Sequence, residues 1–174
     1  MESRTTTLSE NTASVMPRGL LGEWGLSVLV ERDDRKVLLD AGGSISSTRN
    51  GVLLGVNWDR IDAIVLSHGH YDHTGGLREV LTRTRKHIKV IAHPDVFDAK
   101  FIQMSKDQSP TYIGIPFQKA ELESLGADFH LTNEPVWLSE NVVTSGEIPM
   151  ITDFETIDAG LCVRRSAEMI PDPL

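Results

Sequence analysis

Apolar and polar positions alternate in short runs along the N-terminal part of the chain. Residues 5–8 form a brief β-branched run. Residues 25–31 and 36–40 flank Arg32-Asp33-Asp34-Arg35, a polar connection of hairpin length. The pattern predicts a short helix around residues 51–56, followed by the unbroken apolar run Ala63-Ile64-Val65-Leu66. Such a run suits a strand covered on both faces. Leu77, Val80 and Leu81, spaced i, i+3, i+4, predict a helix over residues 76–84. Residues 88–92 read as the next strand, and Pro94 can open a helix holding Val96 and Phe97. Residues 105–116 are polar and irregular and read as an exposed excursion. Residues 117–125 read as a helix stopped by Gly126. Residues 129–131, 136–138 and 142–143 alternate as short strands. Strands interleaved with helices indicate a layered α/β fold. No repeat or Gly/Ser linker divides the chain, so residues 1–174 are expected to be a single domain.

Composition narrows the class. With 40% apolar and 24% charged residues in 174, the chain can bury one substantial core. No run approaches the ~20 apolar residues of a membrane helix, and residues 1–5 lack the features of a secretory signal. The one cysteine, Cys162, cannot make an internal disulfide, which fits a reducing cytoplasm. A net charge of −8, from 17 basic and 25 acidic side chains, repels polyanions and argues against nucleic-acid binding. The basic stretch from Arg83 to Lys89 reads as a solvated helix end, where cations complement the helix dipole.

The chemistry is concentrated directly after the apolar run. Ser67-His68-Gly69-His70-Tyr71-Asp72-His73-Thr74-Gly75-Gly76 holds half of the six histidines, together with a carboxylate. A strand that ends at a sheet edge and turns through Gly69 can aim alternate side chains into one pocket. Imidazole and carboxylate are ligands for zinc and similar divalent metals. His68 and His70 can share one ion, and Asp72 and His73 point at a second. Gly75 and Gly76 allow a tight turn before the next helix. His93, just past the strand at residues 88–92, falls at the same sheet edge if the strands run parallel. It is a candidate pocket residue, as is Glu147. His87 and His130 read as structural, Trp24, Trp58 and Trp137 as packing residues, and Cys162 lacks a base that would make it a nucleophile.

The loop resembles the H-x-H-x-D-H signature of the metallo-β-lactamase superfamily. Asp40, in Leu38-Leu39-Asp40-Ala41-Gly42, resembles that superfamily's earlier aspartate, which closes a strand and buttresses the metal loop. Residues 10–12, 23–27, 67–77, 92–94, 145–149 and 154–155 are similar to the branch called dihydropterin-ribofuranosyl-aminobenzene phosphate synthase, a label spread over many metal-dependent hydrolases. The similarity covers nearly the whole chain, with departures at Trp24, where histidine is expected, and Met150, where a basic residue is expected. The resemblance implies an αββα sandwich holding one or two metal ions, zinc by default and iron or manganese as alternatives. It implies His68 and His70 at the first metal, Asp72 and His73 at the second, and a metal-activated hydroxide that Asp72 orients, with the second metal steadying the leaving oxygen. His93 joins Asp72 as a catalytic candidate.

After His73 only His87, His93 and His130 remain, none in the context of the superfamily's later histidine ligands, and no histidine follows His130. The chain is therefore expected to stop before the second β-α half, leaving one sheet face uncovered and favouring a homo-oligomer. The expected function is a metal-dependent hydrolase acting on a phosphoester or other small ester, with a small-molecule substrate. Within the enzyme class the alternative is a thioester or lactone hydrolase. Outside it, the alternative is a catalytically incomplete metal-binding or interaction module.

Overall fold

Alternation fixes the first sheet. Residues 33–34 turn the chain between β2 (Ser27–Arg32) and β3 (Arg35–Leu39), with Asp33 at φ 55°. The pair is antiparallel and in register from Val28↔Leu39 to Arg32↔Arg35. On its outer edge, β2 pairs with β1 (Ser3–Ser9). The computed structural model describes residues 2–14, 16–105, 107–166 and 168–173.

Next come α1 (Ser46–Leu53), β4 (Ala63–Val65), α2 (Tyr71–Thr74), α3 (Leu77–Thr84) and β5 (Ile88–Ala92). They are followed by β6 (Ala99–Ile102), β7 (Thr111–Tyr112), α4 (Lys119–Ser124) and β8 (Ala127–Leu131). The remaining strands are β9 (Trp137–Ser139), β10 (Val142–Val143), β11 (Leu161–Arg165) and β12 (Glu168–Pro171). The main sheet runs β1-β2-β3-β4-β5-β8, with β3, β4, β5 and β8 parallel. A second sheet has the order β12-β11-β6-β7, and β9 and β10 form a small ribbon. The mixed α/β architecture agrees with the interleaved pattern.

The parallel strands are short apolar runs because both of their faces are lined by other parts of the chain. Leu38, Ile64 and Val90, one from each central strand, are fully buried against Leu77, Val80 and Leu81 of α3 and Leu122 of α4. Their neighbours Val37, Leu39, Val65 and Ile91 face the other way and line a cleft of about 530 Å³. The ribbon and residues 144–148 partly enclose that cleft.

Three elements depart from the pattern. The first helix begins at Ser46 rather than near Gly51, because its inward face is polar: Ser46, Ser47, Thr48 and Asn50 are buried. Asn50 donates to the Leu8 and Leu21 carbonyls, and Ser47 to that of Ala41, so apolar periodicity does not reveal it. Pro94 opens only a 3-10 turn over Pro94–Phe97, which gives way to β6. The excursion at residues 105–116 includes β7, which pairs with β6. The basic stretch is an exposed helix end, as expected, with Arg85 in a left-handed conformation closing α3. Of the tryptophans only Trp58 is buried; Trp24 and Trp137 are largely exposed and do not serve as packing residues. Their flanking segments, a loop and a two-stranded ribbon, have no layer to pack into. Among the described residues no helix is long and apolar enough to cross a membrane.

Candidate metal centre

Three parallel strands deliver the site. Leu39, Val65 and Ile91 are level across β3, β4 and β5, so the residues that follow emerge along one edge. These are Asp40, the loop from Ser67, and His93. Carboxyl ends of parallel strands are where α/β sheets place ligands.

Asp40 ties the loop to the sheet. It is fully buried, and its φ of 56° turns the chain sharply out of β3. Its Oδ1 accepts the Ser67 backbone N–H at 2.8 Å, while Oδ2 accepts the Ser67 hydroxyl at 2.7 Å and lies 2.7 Å from His73 Nδ1. One carboxylate thus grips both ends of the loop. Backbone bonds complete the attachment: Ala41 N–H to the His73 carbonyl (2.7 Å), Leu26 N–H to that of Asp72 (3.2 Å) and Tyr71 N–H to that of Ile113 (2.8 Å). Gly69 and Gly76 are glycine for want of room. A Cβ at Gly69 would lie 2.2 Å from the Val96 carbonyl oxygen, and one at Gly76 2.1 Å from that of Ala41.

Glu23 braces the preceding turn. Its carboxylate accepts the Gly43 and Ser44 backbone N–H groups at 3.1 and 3.0 Å and the hydroxyls of Ser44 and Ser46. Burial opposes its charge, but the hydrogen bonds from Ser44, Ser46 and Ser9 prevail and hold its pKa below the ordinary value.

His68, Asp72 and His73 converge, with one ligand atom from each lying within 4.8 Å of the others. Zinc bonds of about 2.0–2.2 Å set a ligand shell of similar width. The donor set therefore fits a divalent metal. Burial, the His73 and His70 rings and the Lys100 ammonium push the His68 imidazole down from 6.5 to about 3, keeping it neutral and able to ligate. For His73 burial again disfavours the proton, but the hydrogen bond and charge of Asp40, with the charge of Asp72, outweigh it and raise the pKa. Asp40 therefore favours the positive charge of the protonated ring itself. His73 Nε2 stands 3.6 Å from Asp72 Oδ2.

A model of the metallo-β-lactamase superfamily matches residues 25–166. The chain belongs to that superfamily. It is similar to the uncharacterised protein MJ0448 of Methanocaldococcus jannaschii, with 33% identity over 85% of this chain and 54% of that one. It is also 33% identical to the 7,8-dihydropterin-6-methyl-4-(β-D-ribofuranosyl)-aminobenzene-5′-phosphate synthase of the same organism, over 71% of this chain and 44% of the synthase. In fold it is similar to Tm1679, a metal-dependent hydrolase of the β-lactamase superfamily, with a TM-score of 0.76, 24% identity and coverage of 98% of this chain and 57% of that one. The chain spans about half the length of the curated relatives it matches.

The remaining candidates of this metallo-β-lactamase-fold chain are placed differently. The His70 ring stacks edge-on against His68, with centroids 4.5 Å apart, but His70 lies outside the convergent group. The ligand atoms thus gather as three rather than as the two expected pairs. His93 caps the 3-10 turn, its Nδ1 accepting the Asp95 N–H at 3.2 Å, and its Nε2 lies 3.5 Å from Glu147 Oε2. Both residues line the 530 Å³ cleft with Ser67 and Met150. His87 and His130 are exposed surface residues. Cys162 gives its thiol to the Phe101 carbonyl in the second sheet, and burial, then the Asp172 charge, pushes its pKa up.

Sequence reasoning missed two residues at the site. Lys100 on β6 and Asp172 just after β12 are both fully buried, and Asp172 contacts both Lys100 and His70. No local signal marks them, because their strands meet only through pairing with β11.

Proposed function

We propose that this chain carries the metal-binding part of a metal-dependent hydrolase that cleaves a phosphoester or other small ester. The convergence of His68, Asp72 and His73 at the carboxyl edge of the parallel sheet, backed by Asp40, carries this reading. Zinc is the expected ion by ligand type, with iron or manganese as substitutes. When bound, such an ion supplies Lewis acidity that lowers the pKa of water toward ~7. His68, Asp72 and His73 would hold the ion, and Asp72 would also orient the attacking water and accept its proton. His93, steadied by Asp95 and Glu147, contacts the substrate where the loop edge meets the apolar cleft, whose walls receive the substrate's apolar part. The proton that Asp72 takes up would then pass to the leaving oxygen.

The second reading is a metal-binding module without turnover, in which the three convergent side chains hold an ion and no more. Three convergent side chains match the usual protein ligand count of one catalytic zinc, not of two. Hydrolysis of a chromogenic phosphodiester, a carboxylic ester, a thioester and a lactone with added zinc or manganese separates the readings. The enzyme reading predicts turnover of at least one ester, reduced about 100-fold or more in Asp72→Asn. Zinc binding with no turnover of any of the four would leave the module.

A further inference from the structure

The second sheet reaches the metal loop through a buried chain of polar groups. Lys100 Nζ donates to Asp172 Oδ1 at 2.6 Å, and Asp172 Oδ2 lies 3.0 Å from His70 Nε2. Lys100 and Asp172 are 1% and 0% exposed, and His70 only 9%. The Lys100 stem also passes under the loop, where a Cβ on Gly69 would lie 3.3 Å from its Cε. The backbone N–H of Asp172 donates to the Leu161 carbonyl at 3.1 Å, so the carboxylate is held from its own main chain as well.

The donor and acceptor inventory gives this chain a direction. An ammonium only donates, and an ionised carboxylate only accepts. The Lys100 ammonium donates to one carboxylate oxygen of Asp172, and the other faces the His70 ring and can accept from it. The proton of the neutral ring must then sit on Nε2, and Nδ1 keeps its lone pair. The ring edge against His68 places that imidazole beside the convergent ligands.

We propose that Asp172, braced by Lys100, is a positioning residue that sets the tautomer of His70, so that Nδ1 of this histidine, which the family resemblance places at the metal, faces the metal centre. The inference rests on the metal-site reading above. It adds a link from the C-terminal strands to the loop. A buried ion pair is weak evidence of a stabilising role, whereas a partner that orients a ligating histidine commonly governs metal affinity.

The substitution Asp172→Asn separates positioning from packing. The Lys100 ammonium claims the amide oxygen, so the amide NH2 faces His70 and forces the ring proton onto Nδ1. Adding Lys100→Met frees the amide oxygen to turn to His70 and restores the Nε2–H form. Two measurements test this on the full chain. Long-range ¹H–¹⁵N NMR at about pH 8.5, roughly two units above the ordinary imidazole pKa, reads the His70 tautomer without metal. Competition for Zn²⁺ against a chromogenic chelator reads affinity. The expected results are Nε2–H in the wild type, Nδ1–H in Asp172→Asn with zinc affinity down about 10–100-fold, and recovery of most of that loss in the double variant. Wild-type zinc affinity in Asp172→Asn, or an Nδ1–H wild type, would overturn the proposal. Should Asp172→Asn not fold, the wild-type tautomer alone decides. His68→Ala is the control: if it binds zinc as tightly as the wild type, the metal-site reading itself fails and the inference with it.

Discussion

The two faces of the central strands differ although they alternate residue by residue. Leu38, Ile64 and Val90 are sealed by α3 and α4. Leu39, Val65 and Ile91, one position along, line a cleft of about 530 Å³. The helix face supplies the rigid platform, and the strand ends that carry Asp40 and the metal loop inherit its precision. The cleft face leaves apolar surface available beside the site. Rigidity on one side and access on the other are obtained from the same three strands.

Core truncation should break this comparison most strongly. Ile64→Ala is expected to cost about 2–5 kcal/mol, because it opens a cavity in a closed layer. Val65→Ala, at the cleft, should cost at most about 1 kcal/mol, since its surroundings already include open space. Urea unfolding of the two variants checks the difference, and equal losses would remove the distinction between the faces.

The attachment of the loop to the platform comes next. Asp40→Ala leaves the Ser67 N–H, the Ser67 hydroxyl and the His73 ring without their buried acceptor. Orphaned buried donors cost about 1–3 kcal/mol each before relaxation. Roughly 2–3 kcal/mol is expected to persist in thermal unfolding, with metal affinity reduced about 10–100-fold. Retained metal affinity would show that the loop holds its shape without the platform.

Much of the platform was legible in the sequence because strands with one apolar face in the core and the other along the cleft write continuous apolar runs, and the candidate metal loop because its potential ligands are adjacent in the chain. What escaped has a physical reason in each case. The inward face of α1 is written in serine, threonine and asparagine, which satisfy backbone groups instead of following an apolar period. Strands β6, β11 and β12 are short, and only their mutual pairing makes them a sheet. Lys100 and Asp172 are 72 positions apart, and only tertiary structure puts them together. Gly75 and Gly76 read in the sequence as a tight turn, and the structure adds that a Cβ at either would lie 2.1 Å from a backbone carbonyl oxygen, of Gly43 or Ala41.

A smaller effect sharpens the role of Glu23, which braces the platform edge. Its pKa is lowered in the folded chain, so its contribution is fully present above the ordinary value of 4.5 and is lost as pH falls through the folded value. At this partly exposed position the contribution is no more than about 1 kcal/mol. Unfolding curves below about pH 4.5 should steepen in pH dependence for the wild type relative to Glu23→Gln, and parallel curves would remove Glu23 from that role. The smallest effect is expected at Trp137, largely exposed on the ribbon. Trp137→Ser should change stability by less than about 0.5 kcal/mol, and a larger loss would mean that the ribbon is covered in solution, as a homo-oligomer would cover it.

The metal content of the purified chain tests the central claim most directly. Elemental analysis of protein prepared without chelator should find a divalent transition metal in the wild type and a sharp fall in the His68→Ala/His70→Ala double variant. Equal metal in both proteins would contradict the assignment of this loop as the metal centre.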